Sequence, residues 1–396
     1  MSPVVASTPT GPAATSCGCA SHSLRPNASP RASRGSVNCS RPNSNWSAPS
    51  TVPTPLPPRR VPTRAAAASA DPAGGRTPVP SNVAVLSGGI SLEREVSLRS
   101  GSRVADALAD NGHEVTRLDV DGELVRVLEQ GGFDAAFLTL HGSAGEDGTV
   151  QSLLELVGLP YTGPDVLASS LAWNKPIAQG LYRRAGLRTP RGVTLTQQAF
   201  REMGAVAVLD HVAEALGLPV VVKPATGGSS LGLTIVHDAA GLPQAIVGAL
   251  GYADAVLLEE FVEGTEVAVT VLDGRALPAV EIQPKEGAYD FSARYTAGAT
   301  EFHAPARLDE DAAAACAATA ISAYEAIGAR HISRADLIVD RHGTPWLLEL
   351  DTCPGLTDTS LVPLAAEAAG LSFGDLCDTL LGLALAGGSQ PGAARA

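Results

Sequence analysis

Lysine is nearly absent from this chain. Its 396 residues include Lys175, Lys223 and Lys285 and no other lysine, against twenty-five arginines. The six cysteines, Cys17, Cys19, Cys39, Cys316, Cys353 and Cys377, contain no CxxC spacing. Neither a disulfide framework nor a zinc site is indicated, which fits a reduced intracellular protein. No GxGxxG follows a strand-like run, which argues against a dinucleotide-dependent oxidoreductase. GxxxxGK[ST] is missing too, so there is no Walker-type phosphate loop. No apolar run approaches the length of a membrane span, and no signal-peptide core is visible. The formal net charge of −13 makes nucleic acid an unexpected partner.

The composition divides near residue 80. Before it the chain is Ser, Pro, Ala, Thr and Arg, with Asp71 as the single acid and no sustained apolar period. Such a stretch buries too little to offset chain entropy, so residues 1–81 are expected to be disordered, as are 390–396. An acid-poor, Arg- and Ser-rich start has the look of an organelle transit peptide. The competing account is a start codon assigned too far upstream in a GC-rich bacterial gene, which the arginine-for-lysine bias and abundant Ala, Gly and Pro favour. A bacterial cytoplasm is therefore expected ahead of a plastid.

Past residue 82 the pattern is that of an α/β protein. An apolar strand at 83–86 runs into Ser87-Gly88-Gly89, and Val104 and Leu108 fall at helical spacing until Asn111-Gly112. Glu93, Arg94 and Glu95 in that turn suit either a site or the favourable end of a helix dipole. A second strand, 135–140, leads into His141 and a glycine-rich loop, the strand end where such proteins place ligands. After an amphipathic stretch at 150–157, Asn174-Lys175 opens another helix, and 217–222 reads as a strand that ends at Lys223. The small residues 225–232 after it suit a phosphate cradle, with backbone donors near the oxyanions and the ammonium neutralising them. In a chain that has replaced almost every lysine, Lys175 and Lys223 stand out, because a compact ammonium and a guanidinium fork meet phosphate differently. Residues 256–262 read as a strand whose acids, Glu259 and Glu260, are either ligands or solvated. Residues 281–301 are long, polar and aromatic with little periodicity, a length typical of a lid, and an alanine-rich helix follows at 312–327.

Two further apolar runs, 335–339 and 345–350, flank His342-Gly343 and predict a hairpin. Glu349 and Asp351 are two apart and share a face, with Asp336 expected across from them. Three converging carboxylates suit Mg2+, which takes one or two protein carboxylates and completes its shell with phosphate oxygens. Read alone, the hairpin is equally two strands with solvated acids. The lysines and the glycine loop upstream supply the phosphate partner that favours the metal.

In this order the motifs resemble the D-alanine–D-alanine ligases of the ATP-grasp superfamily, across about 82–385. The matching blocks are GGxSxEREVSLxSG at 88–101, LHGxxGEDG at 140–148, GLPYTG at 158–163, KPxxxGSSxG at 223–232, RxD at 334–336 and ELxTxPGxTxxSLVP at 349–363. The resemblance implies an ATP-grasp fold of mixed α/β and α+β character in three domains, 82–163, 164–258 and 259–389, with ATP between the last two. It implies that Lys175 and Lys223 hold phosphates, that Glu259, Glu260 and Val262 face adenine, and that Glu266 meets the ribose. Asp336, Glu349 and Asp351 would carry two Mg2+ ions, with Mn2+ as a substitute. Glu93 would hold the first D-alanine, with His141 near it, and Ser229 and Tyr295 would complete a set that closes the lid with Arg294. Arg334 and Gly355 would stabilise oxyanion charge, and Ser360 with Leu361 the second substrate's carboxylate. The family's role is peptidoglycan precursor synthesis, and a homodimer is implied. The alternative is a related ligase joining another D-amino acid in secondary metabolism. Two positions depart from the pattern: Asp351 stands where Asn is usual, and Arg294 where Lys is usual. Tyr295 resembles the dipeptide-forming rather than the depsipeptide-forming type.

Overall fold

The computed structural model describes residues 80–202, 205–285 and 298–387. The expected tails therefore lie outside the described residues, except that Ser81 is already hydrogen-bonded, its carbonyl accepting from Glu114 N–H. Three sheets follow one another along the chain. In the first, β1 (Asn82–Ser87) lies between β2 (Glu114–Asp119) and β3 (Ala135–Leu138), all parallel. β1 and β3 are buried on both faces, which is why their apolar residues run without alternation. Helix α1 (Arg94–Asp110) follows β1, α2 (Leu124–Gln130) follows β2, and α3 (Thr149–Val157) follows β3. β3 stops at Leu138 rather than the expected residue 140, although Thr139 still bonds Leu86 O through both its N–H and its hydroxyl. His141 lies in the loop that follows.

The second sheet is antiparallel, in the order β4 (Gly192–Thr196), β7 (Ala255–Glu260), β5 (Val220–Pro224), β6 (Thr234–Val236). β5 is displaced along the chain from the expected 217–222, so Lys223 stands within the strand, opposite Leu257. β7 ends at Glu260, leaving Val262 in the following turn.

The third sheet runs β11 (Thr300–His303), β10 (Val280–Pro284), β8 (Thr265–Leu272), β12 (Ile332–Val339), β13 (Pro345–Asp351), with β9 (Arg275–Ala276) on β8. β10 and β11 pair from Glu281–His303 to Pro284–Thr300. The ends of the expected unstructured segment are thus a hairpin, and Arg294 and Tyr295 lie outside the described residues. The helix Glu310–Ala326, capped by the Asp309 carboxylate, lays Ala312, Cys316, Ala320 and Ala323 on this sheet. Those positions share one helical face, and their small side chains allow close approach. α4 (Val166–Trp173) and α5 (Lys175–Arg184) bury Ala168, Ala172, Ala178 and Tyr182 in the same core as Val267, Leu337 and Leu347. Lys175 is thereby fixed relative to β13.

The helices Leu361–Ala368 and Phe373–Gly387 return to the first sheet. Val362, Leu376, Leu380 and Leu381 share one core with Val83, Val104, Leu108 and Phe137. Each large side chain buried there contributes about 2 kcal/mol. That core brings the loop after β13 against the N-terminal sheet. No single described helix is long and apolar enough to cross a membrane.

Candidate active site

The β12–β13 hairpin forms as expected, with a register irregularity between Asp336 and Leu337 that sets Asp336 opposite Glu349 and Arg334 opposite Asp351. β12 is sandwiched between β8 and β13, so Arg334 and Asp336 are both buried. Two apart on one strand, they share a face: Arg334 Nε donates to Asp336 Oδ1 at 2.7 Å and Nη2 to Oδ2 at 2.9 Å. Arg334 Nη1 lies 3.0 Å from Asp351 Oδ2. Glu349 Oε2 lies 3.1 Å from Lys175 Nζ. The three acids are thus each balanced by a protein cation. Burial raises the Asp351 carboxyl above its ordinary range; Arg334 pulls it down and Asp336 pushes it up.

Lys175 opens α5, where Asn174 Oδ1 accepts Ile177 N–H as the N-cap. Its Nζ also donates to Gly227 O of the glycine loop. Lys223 on β5 pairs with Glu259 of β7 at 2.6 Å, both buried, and Gln179 donates to the same carboxylate. Burial works against the Lys223 ammonium, but Glu259 and Glu349 hold it above its ordinary value. Glu260, the next residue, is partly exposed at the end of β7 and meets the exposed Arg191 at 2.6 Å.

Glu93 is the residue before α1, yet its side chain does not cap the helix. It is buried and accepts from Ser229 Oγ of the glycine loop. Ser229 and Ser230 take left-handed φ values of 50° and 55°, which brings that loop back toward α1. Gly142 has φ +79°, and a Cβ there would meet Glu93 Oε2 at 2.5 Å. Any side chain at that position would displace the carboxylate.

His141 is buried, with Nδ1 2.9 Å from Cys353 O and Nε2 2.9 Å from Ser100 Oγ. A carbonyl only accepts, so Nδ1 carries the proton and Ser100 donates to Nε2. Burial, with Arg334 nearby, pushes this imidazole down to about 4, so it is neutral at pH 7. Ser100 Oγ in turn accepts Leu356 N–H at 3.2 Å. Ser360 Oγ accepts Thr357 N–H at 3.0 Å, and Leu361 begins a helix whose N-terminus follows directly.

These residues border two adjoining cavities. The smaller, about 380 Å3, is lined by Glu93, His141, Ser229, Arg334, Asp351, Gly355, Ser360 and Leu361. The larger, about 820 Å3, is a slot between the second and third sheets lined by Lys223, Glu259, Glu260, Val262, Glu266 and Asp336, with apolar walls that include Ile235, Ile282 and Ile338. Lys175, Gly227, Gly228 and Glu349 line both. Among the described residues, every position expected in the site borders one cavity or the other.

Two participants were not among the expected site residues. Glu146 also lines the smaller cavity and accepts Gly142 N–H at 3.0 Å. Burial, Asp351 and Glu93 push its carboxyl well above the ordinary range. It stands in the same glycine-rich loop as His141, which was the available signal. Gln179 lies four residues past Lys175, one helical turn on the same face, the spacing that would have found it.

Residues 181–382 match the sequence pattern described as the D-ala D-ala ligase C-terminus, and 124–164 match the D-ala D-ala ligase N-terminus. The chain is 47% identical over 299 residues to the D-alanine–D-alanine ligase of Anaeromyxobacter dehalogenans, covering 76% of this chain and 95% of that one. It superposes on the Bacillus anthracis D-alanine–D-alanine ligase complexed with ATP at a TM-score of 0.68 and 28% identity, over 79% of this chain and all of that one. A D-Ala:D-Ser ligase from Enterococcus faecalis gives a TM-score of 0.66 at 29% identity, over 77% and 99%.

Proposed function

The chain belongs to the D-alanine–D-alanine ligase family and is an ATP-dependent ligase of the ATP-grasp fold, a premise from which we propose that it joins two D-alanines through a D-alanyl phosphate. The products are D-alanyl-D-alanine, ADP and phosphate, for peptidoglycan precursors. The observation that carries this proposal is the meeting of the two cavities at Lys175 and Glu349. A nucleotide in the larger slot presents its phosphate end where an amino acid in the smaller one presents its carboxylate.

In the proposed assignment Lys175 and Lys223 neutralise the phosphates; Glu259, expected to face adenine, is instead taken up by Lys223 and, with Gln179 on the same carboxylate, holds that lysine in place. Glu260 and Val262 border the adenine end, and Glu266 the ribose. Glu93, with Ser229, holds the ammonium of the first D-alanine, and His141 supports the wall beside it. One carboxylate oxygen of that substrate attacks the γ-phosphorus in line. A P–O bond forms, the bridge to the β-phosphate breaks, and ADP leaves; positioning supplies most of the acceleration. The amine of the second D-alanine, having lost a proton, attacks the acyl carbon. The oxyanion so formed faces Arg334 and the Gly355 N–H, and phosphate departs as the C–O bond breaks. Ser360 and the Leu361 N–H, at a helix N-terminus, hold the second carboxylate. Arg294 and Tyr295 are proposed to cover the site and keep water from the acyl phosphate.

Asp336, Glu349 and Asp351 offer hard oxygen donors beside both cavities. Among the described residues no group of three or more His, Cys, Asp or Glu is arranged to cage an ion. The expected convergence of the three carboxylates is thus not met by the side chains as they stand, each of which pairs with Arg334 or Lys175; Mg2+ or Mn2+ is proposed here with phosphate oxygens completing its shell. When bound, such ions supply charge neutralisation at the transferred phosphoryl group. We also propose the three-domain division at 82–163, 164–258 and 259–389, a cytoplasmic homodimer, and no nucleic-acid or membrane partner.

Phosphate release by the purified protein with ATP and Mg2+ is the test, over D-alanine, D-serine, D-lactate and L-alanine. D-Alanine alone is expected to stimulate release and yield the dipeptide. No stimulation above background would overturn the assignment. D-Serine is included because of the likeness to the D-Ala:D-Ser ligase, and its preference as second substrate would favour the other-D-amino-acid alternative.

A further inference from the structure

Residues 352–360 carry Gly355 and Ser360 into the smaller cavity. Behind them stands Arg103 of α1, which does not line either cavity. Its Nη1 donates to Leu356 O at 3.1 Å and to Thr357 O at 3.0 Å. Its Nε lies 2.8 Å from Asp358 Oδ1, and its guanidinium stacks on the Phe373 ring at 3.8 Å. Ser100, one turn earlier on the same face of α1, accepts the Leu356 N–H. The two side chains therefore grip both sides of one peptide segment, immediately after Gly355.

These contacts do unequal work. The Asp358 side chain is 89% exposed, so that ion pair is screened and contributes little. The forked bonds to two carbonyls and the flat contact with Phe373 are what fix the segment. Only a planar guanidinium makes both at once. Thr357, held at its carbonyl by Arg103, donates its N–H to Ser360 Oγ, and its hydroxyl lies 2.8 Å from the same atom. Fixing Thr357 therefore fixes Ser360.

We infer that Arg103 is a positioning residue for the acceptor half of the reaction. From behind the loop it sets where Ser360 meets the carboxylate of the second amino acid. The inference rests on the proposed role of Ser360 as an acceptor-carboxylate residue, and the test separates the two. Arg103→Ala, Arg103→Lys and Ser360→Ala are compared in the full chain by two assays. One follows dipeptide formation against D-alanine concentration. The other supplies hydroxylamine in excess: its nitrogen attacks the acyl carbon of D-alanyl phosphate, phosphate leaves, and D-alanyl hydroxamate is counted. Hydroxylamine has no carboxylate and so does not need Ser360, while its attack uses the same oxyanion donors, Arg334 and the Gly355 N–H.

Arg103→Ala is expected to raise KM for the second D-alanine about tenfold, since small misplacements of this kind cost factors of ten to a hundred. Hydroxamate formation should stay within about twofold of the parent, because ATP and first-substrate contacts are untouched. Arg103→Lys keeps the charge but loses the fork, and should fall between the two. Melting temperatures are measured for all three variants, so that a change in acceptor KM is read beside any loss of fold. An unchanged acceptor KM in both Arg103 variants, with Ser360→Ala raising it, would overturn the role of Arg103 alone. Hydroxamate falling in step with dipeptide would mark a structural role and overturn it equally. An unchanged acceptor KM in Ser360→Ala would overturn the acceptor assignment beneath it.

Discussion

The two cavities share Lys175 and Glu349 and are built in different ways. The larger is a slot between two sheets, and its charged residues, Lys175 on α5 apart, stand on strands. Lys223 and Glu259 meet because β5 and β7 are neighbours, and the pairing of Val221 with Glu259 sets Lys223 two residues along. The smaller is assembled from strand ends and loops. Ser229 bonds Glu93 across 136 positions, His141 bonds Cys353 across 212, and Leu356 bonds Ser100 across 256. Local register places the Lys223–Glu259 pair of the first, whereas contacts between loops far apart in the chain assemble the second. A nucleotide site of the first kind tolerates change in distant parts of the chain, whereas the amino-acid site depends on them.

Breaking the shared residue gives the largest effect. Glu349→Gln is expected to lower kcat about 10³-fold, read as phosphate release, while ATP binding by calorimetry persists because Lys223 and the apolar walls remain. Lys223→Ala strikes the strand-built side alone. It leaves Glu259 buried without its cation, and chemical denaturation should show a loss of about 3 to 5 kcal/mol.

Acid strikes the loop-built side. The buried His141 and His331 imidazoles are both pushed down to about 4 by desolvation, with Arg334 beside His141 and Arg330 beside His331. Above pH 6.5 both are neutral folded or unfolded and there is no penalty. As pH falls through 6.5 the unfolded chain takes up protons that the native state refuses, so stability declines down to about pH 4. By pH 5 each accounts for about 2 kcal/mol, measured as the shift in urea midpoint. His141→Gln should flatten part of that slope, and an unchanged slope would remove His141 as a cause. The smallest effect sharpens the contrast between two adjacent acids on β7. Arg191→Ala removes the partner of Glu260 at the surface, where Arg191 is 65% exposed, and should change stability by less than about 1 kcal/mol.

What was legible in the sequence follows the same division. The β12–β13 hairpin and the shared face of Glu349 and Asp351 come from period-two alternation and a glycine turn, both local. The register irregularity after Asp336, which sets Arg334 opposite Asp351, has no local signal. That Arg334 and Lys175 would balance the three acids was equally hidden, since it needs α5 packed on the third sheet. The segment 281–301 showed little periodicity because the strands among its described residues are short and lie at its ends. β5 was displaced because Gly217-Leu218-Pro219 is as apolar as a strand, while the register with β7 begins only at Val220. Glu93 showed a motif without a direction. Its turn into the cavity rather than onto α1 depends on Ser229, far along the chain.

The core shared by α1 and the helix Phe373–Gly387 has a consequence for synthesis. β1 and α1 are among the first parts of the fold to leave the ribosome, and the side chains that cover Val104 and Leu108 are among the last. Until Leu376, Leu380 and Leu381 emerge, that face of the nascent chain is open to water and to other chains, and a chaperone has a ready-made surface to hold. A polypeptide ending at Gly370 should remain protease-sensitive within 82–140, however well its second sheet has folded.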